Sequence, residues 1–339
     1  MLCDMFAEMR GMKEFRSLPA YIRTSVEVLG DKVASAPRFI LDRSATQMIQ
    51  SLSLVSPRAM VQALPVCRLP HRTMWVEFAF KDRLDWLVEA RKQGIQVQSN
   101  DLAAPPSRLG FLLEQKDDDA SDILVHPAWS HIAPAVDVCK LSMRVITGEA
   151  QQASEETINS FRRRYLADKD LARGHGITTE ADLVAFADLS NRIHHIVPPW
   201  MEGFWASLVM HPEAFREAEE LARYDLAAEW RFVLSLLTIL NSRNVISYSE
   251  EATFEKLNKQ RKKKGKRPVL SHREIRLNLS KVQRQRLGEY AQRSPSARPT
   301  EAHLVRGHWK LRKTGLYWWS PHVRYGDQTS SPPVYKVTA

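Results

Sequence analysis

Six cations in seven residues, Arg261-Lys262-Lys263-Lys264-Gly265-Lys266-Arg267, form the densest chemical feature of the chain. They lie within residues 256–286, which hold thirteen Lys and Arg, Lys259 among them, against one acid, Glu274. Such a run repels itself unless it is solvated or matched to a polyanion. Each phosphate it neutralised would release a counterion, so binding would weaken with salt. RNA or DNA is the matching partner. The bland alternative is a solvated turn around Gly265 and before Pro268, with no ligand. A membrane surface fits less well, because the run lacks the interleaved Trp, Phe and Leu of an interfacial helix. Next, Ile275, Leu277 and Leu279 alternate with Arg276 and Asn278, which share a polar strand face. Arg276 there can meet phosphate, or can simply mark a charged edge strand that resists aggregation.

A second constellation follows. Leu304 to Leu311, with Arg306, His308 and Lys310, leads through Arg312-Lys313-Thr314-Gly315 into Leu316-Tyr317-Trp318-Trp319 and then Ser320-Pro321-His322-Val323-Arg324. Gly315 suits a positive φ in a hairpin turn, with Tyr317 and Trp319 on one face and Leu316 and Trp318 on the other. One face must be buried. The other can offer aromatic planes to unpaired bases, each stack worth about 1–3 kcal/mol, with Lys310, Arg312 and Arg324 beside the backbone. The alternative is aromatic packing against a neighbouring element.

His303, His308 and His322 invite a metal, but no Cys lies near and the flanking cations oppose a dication, so neither metal nor cofactor is expected. A hydrolytic pair of His308 with Glu301 or His322 needs a geometry that spacing does not supply. No GxSxG, P-loop, HExxH or dinucleotide fingerprint occurs, and no catalytic residue is assigned.

The elements that position these residues read as α+β: an antiparallel sheet, a central helical segment and a small basic β-rich C-terminal region. Leu2, Met5, Phe6, Met9, Met12 and Phe15 recur at helical spacing and predict a docking helix; Phe39, Ile40, Ala45, Met48, Ile49 and Leu52 predict a second. Val76, Phe78 and Phe80 alternate with Trp75, Glu77 and Ala79 as in a half-buried strand. Short runs at 95–98, 109–113, 122–126 and 141–146 continue an antiparallel meander, and the acidic turn 117–119 reads as a solvated tip. Residues 153–243 predict three to five helices, the best buried being 226–241, with Arg162-Arg163-Arg164 on a solvated face and His194-His195 capping a helix end before Pro198. Strand periodicity returns at 244–248 and 275–279, either extending the first sheet or forming its own. The regions are thus 1–150, α+β; 151–243, helical; 244–326, basic strand and hairpin; and 327–339, a disordered tail.

Charge is as segregated as structure. Residues 250–339 hold 21 Lys and Arg against 7 acids, while the preceding 249 hold 28 against 32, so the net charge of +10 belongs to the last quarter. Three cysteines without CxxC spacing fit a reducing compartment. The opening residues are acidic where an export signal would be basic, and the most apolar run, 232–240, is short of the roughly 20 residues a bilayer requires. A soluble cytoplasmic protein with no membrane partner is expected.

The run from Leu257 to Pro268, followed by Val305-Arg306-Gly307-His308-Trp309 and Trp318-Trp319-Ser320-Pro321-His322-Val323-Arg324, resembles the C-terminal portion of uncharacterised bacteriophage and prophage proteins. The resemblance covers about residues 250–326 and departs at Tyr325, which stands before Gly326. It implies a mobile-element origin, hence a bacterial host cell or a virion, and no mechanism. Together these features predict a non-enzymatic nucleic-acid-binding protein, with RNA or single strands favoured. The alternatives are a structural or host-factor interaction protein meeting an acidic partner, and thirdly a nuclease-like toxin. Oligomeric state is open.

Overall fold

The computed structural model describes residues 1–53, 57–92, 105–115, 121–148, 152–227, 229–249, 254–265, 268–277, 303–305, 308–319 and 322–324. The expected strand at 95–98, the acidic turn 117–119 and the tail 327–339 lie outside these residues.

The fold is α+β, with a mixed sheet carrying helices on both faces. In chain order come α1 (Leu2–Arg10), α2 (Ala20–Ser35), β1 (Arg38–Leu41), α3 (Arg43–Leu52), α4 (Pro57–Ala63), β2 (Thr73–Ala79) and α5 (Phe80–Lys92). Then follow β3 (Arg108–Gln115), β4 (Asp122–Ser130), β5 (Asp137–Val138) and β6 (Ser142–Ile146). The helical segment holds α6 (Glu155–Ala167), α7 (Lys169–Gly174), α8 (Glu180–Asn191), α9 (Glu202–Leu208), α10 (Pro212–Ala227) and α11 (Glu229–Leu240), with β7 (Ile193–Ile196) inserted after α8. The last part comprises β8 (Ile246–Tyr248), α12 (Glu255–Lys263), β9 (Arg273–Leu277), β10 (His303–Val305), β11 (His308–Arg312), β12 (Gly315–Trp319) and β13 (His322–Arg324).

The sheet order is β7-β6-β4-β3-β2-β1-β9-β8, with β5 against β4. Pairing is antiparallel except where β1 meets β2 and β9 in parallel, so the expected meander holds from β2 to β6, β7 adds a further antiparallel strand that was not expected, and a parallel crossover through α3 and α4 extends the sheet. β8 and β9 therefore share the first sheet, with β9 an internal strand rather than an edge, while β10 with β13 and β11 with β12 form two separate two-stranded sheets. Three expectations are corrected. Phe39 and Ile40 lie in β1 and not in a helix, because Asp42 accepts from the Ala45 N–H at 2.7 Å and starts α3 only afterwards. His194 and His195 lie in β7, opposite Arg144 and Met143, rather than capping a helix. The segment 153–243 carries six α-helices, more than expected, because several are short.

β2 is buried on both faces, not one, and the register explains why. Trp75 and Glu77 face α1: Phe6 meets Trp75 edge-on at 5.9 Å. Phe78 faces α11, stacking on Phe232 at 4.8 Å. The fully buried Glu77 carboxylate accepts from the Leu2 and Cys3 backbone N–H groups at 3.0 and 2.8 Å, from the Trp75 indole at 2.8 Å and from Arg108 at 3.0 Å. A carboxylate at a helix N-terminus satisfies donors that the helix itself leaves open. α1 thus docks as its apolar spacing predicts, ending at Gly11 with Phe15 buried in the following 3₁₀ turn. On the opposite face α11 buries ten of its twelve residues, as its apolar stripe predicts, and Glu229 there bonds Arg83 of α5 at 2.7 and 2.8 Å.

Candidate nucleic-acid interface

Alternation builds the hairpin of β11 and β12. Trp309 pairs with Trp318 and Leu311 with Leu316, while Lys310 pairs with Tyr317 and His308 with Trp319. In the first set Leu316 is buried and Trp309 and Trp318 meet at 4.9 Å and pack against the main core, while Leu311, nearer the turn, stays exposed. Gly315 closes the turn at φ +129°, a conformation that a side chain disfavours. The hairpin is tied to the loop after α11. Arg243 N–H donates to the Leu316 carbonyl at 3.3 Å. The Asn244 amide donates to the Trp318 carbonyl at 2.8 Å and accepts from its N–H at 3.0 Å.

The outward set is cationic and aromatic. Lys310 Nζ sits 4.4 Å from the Trp319 ring centre; the Arg312 guanidinium sits 5.3 Å from Trp319 and 5.9 Å from Tyr317. Such contacts follow from the ring quadrupole. The Tyr317 hydroxyl lies 3.2 Å from the Thr314 hydroxyl. That contact, and then the Arg243 and Arg312 cations, draw the phenol below its ordinary pKa. Arg243 is the residue that sequence reasoning missed. It is exposed, and a Cβ at Gly315 would stand 3.0 Å from its Nε, so the glycine leaves room for it against the hairpin. One feature of the sequence does point to the surface: between Glu301 and Asp327 there are five Lys and Arg and no acid.

The structure brings Lys310, Arg312, Tyr317 and Trp319 onto one face and places the lysine run elsewhere. β8 leads from Asn244, beside the hairpin, toward α12, whose N-cap Phe254 stacks on His272 at the start of β9. The two cationic elements therefore lie at opposite ends of β8. The run is helical up to Lys263 rather than a bare turn, and Gly265 at φ +64° ends it. Lys259, Lys262, Lys263 and Lys264 are exposed, while Arg261 is committed to Glu8 at 3.2 Å. Cations in a helix's last turn also complement its dipole, so their presence there has a structural cause besides any ligand. Arg276 is exposed and ion-paired with Glu274. Lys266, Arg267 and Arg306 lie outside the described residues. His308 and Arg324 are placed by backbone pairing, with Trp319 and His303 respectively.

One buried polar array deserves comparison with an active site. Ser142 Oγ lies 2.6 Å from His126 Nδ1, His126 Nε2 lies 3.1 Å from Glu114, and Lys32 bonds Glu114 at 2.9 and 2.8 Å. The order of groups is that of nucleophile, base and orienting acid. Burial holds the His126 imidazole below its ordinary pKa. Burial raises Glu114, but the His126 and Lys32 hydrogen bonds outweigh it and hold the carboxyl at about 2. Yet Ser142 is 1% and His126 3% exposed, closed from substrate beneath Trp200, which meets His126 at 4.8 Å. The array ties β3, β4 and β6 to α2. Elsewhere Arg162 is committed to Glu180 at 2.6 Å, and all three cysteines are free and buried.

Among the described residues no three His, Cys, Asp or Glu side chains gather as a metal would require, and no helix is long and apolar enough to cross a membrane. Comparison of the chain with family models, with curated proteins and with solved structures finds no match.

Proposed function

We propose that this chain is a non-enzymatic nucleic-acid-binding protein that meets RNA or single strands through the outer face of the β11–β12 hairpin, with the exposed lysines of α12 adding charge. One observation carries the reading: Tyr317 and Trp319 share a face with Lys310 and Arg312, and Arg243 lies against the same turn. Aromatic planes with cations beside them are what sequence-tolerant single-strand binding uses. The origin in a phage or prophage rests on the resemblance of residues 250–326. Titrating the chain with generic RNA and DNA at low and moderate salt tests the proposal. Binding at low micromolar protein that weakens with salt is expected; no binding, or binding indifferent to salt, overturns it.

An acidic protein partner is the second reading, favoured by the lysines of α12 lying away from the aromatic face. Charge reversal at Lys262, Lys263 and Lys264 separates the two, since loss of a protein partner with nucleic-acid retention unchanged supports the second. Deleting residues 256–286 does not, because that segment contains β9, an internal strand of the sheet.

A further inference from the structure

We infer that the outer face of the hairpin is a seat for two adjacent unpaired nucleotides of an extended single strand, with one base on Tyr317, one on Trp319, and Arg243 holding backbone phosphate. This rests on the reading of the hairpin as a nucleic-acid interface and names the ligand class that the interface takes.

Strand geometry supplies the first argument. Tyr317 and Trp319 are two residues apart on β12, so their side chains leave the strand about 6.6 Å apart. That is twice the roughly 3.4 Å separation of neighbouring bases along a duplex strand. Bases stacked at the duplex spacing do not fall one to each ring, and paired bases hide their faces from both. An extended strand with its bases turned out presents one face per nucleotide, which is the spacing the rings offer.

Charge supplies the second. Lys310 and Arg312 lie over the rings in the free chain, so an incoming base displaces them from the ring faces, and the displaced cations stay within one nucleotide of the bases to neutralise backbone. Arg243 arrives from the loop after α11 and not from the hairpin, and it fits because Gly315 has no side chain in its way. A cation reaching the ring pair from the body of the protein brackets the strand opposite the cations of β11. No acid occurs between Glu301 and Asp327 to repel a phosphate.

The test compares three ligands of about a dozen nucleotides with the full chain at one salt concentration: oligothymidylate, an abasic strand of equal charge, and the thymidylate duplex with oligoadenylate. Oligothymidylate should bind roughly tenfold or more tightly than the other two. Trp319→Ala and Tyr317→Ala, made separately so that one misfolded variant does not decide the matter, should each bring it toward the abasic level. Arg243→Gln should weaken both single strands by a similar factor. Equal binding of thymidylate and abasic strands, or a thymidylate preference untouched by both aromatic substitutions, overturns the two-base seat while leaving a charge-driven nucleic-acid binder. Failure of all three ligands to bind overturns both readings.

Discussion

The proposed interface makes a quantitative prediction, the number of phosphates a bound strand would engage. Three exposed cations, Arg243, Lys310 and Arg312, lie on the ring-bearing face of the hairpin, apart from Lys313, exposed in the turn, and five exposed lysines, Lys256, Lys259, Lys262, Lys263 and Lys264, belong to α12 and its end. Each phosphate contact on a single strand contributes about −0.7 to the slope of log K against log salt. A short strand confined to the hairpin should therefore show a slope of about −2, and a fourfold rise in salt should cost it about 20-fold in affinity. If α12 were engaged at the same time, the slope would steepen to about −5 or −6 and the same rise in salt would cost on the order of 2000-fold. Fluorescence anisotropy across a salt series reads the slope directly. Replacing Arg243, Lys310 and Arg312 together with glutamine should flatten it toward zero for a short strand, whereas replacing the five lysines should leave it unchanged. A slope that ignores the hairpin triple substitution, or one that collapses with the lysines alone, refutes the assignment of the site to the hairpin.

Other perturbations test the scaffold. Asn244→Ala removes both hydrogen bonds to Trp318, an exposed pair worth about 1 kcal/mol; amide exchange should quicken in β12 while the melting temperature of the main sheet barely moves. Glu77→Ala strands the α1 N–H groups and leaves Arg108 without its buried partner, and should cost roughly 3 kcal/mol or more by urea denaturation. Burial holds the His175 imidazole at about 4, so the folded chain keeps it neutral while the unfolded chain takes up a proton below about pH 6.5; stability is full above that pH and falls as pH drops toward 4, by up to about 3 kcal/mol. His126 shifts the same way, and Glu114, held at about 2, adds a further loss below pH 4.5, so only His175→Gln with an unchanged pH profile above 4 would count against the His175 contribution.

How much of this was legible depended on element length and sequence distance. The hairpin is plain in the sequence because a glycine turn and strict alternation are local signals, and α11 because its apolar stripe is wide. β1 was hidden because four residues precede Asp42, whose cap starts a helix at once, so strand and helix periodicity run together. β7 was hidden because it is four residues long, and two histidines before a proline look like a helix end. β2 read as half-buried because Glu77 looks like a solvent residue until α1 arrives to use it. Arg243 could not be assigned to the site, since it reaches Gly315 and Tyr317 only through a contact some seventy residues distant in sequence.

The topology also explains why the two cationic elements stand where they do. β8 ends the sheet, and among the described residues no strand pairs with its outer side. A strand left open in this way can recruit another chain, and charge at its margins resists that. Here the hairpin cations stand at one end of β8 and the α12 lysines at the other, with exposed Arg276 opposite Ser247 between them. Repulsion between copies follows from that arrangement whether or not α12 ever meets a phosphate. Edge protection therefore accounts for the α12 lysines on its own, but it does not require Tyr317 and Trp319 to face outward beside Lys310. Those two half-buried rings, with Lys310 and Arg312 packed over them, are the part of the surface that edge protection does not call for, and their substitution is the stricter test of the proposed function.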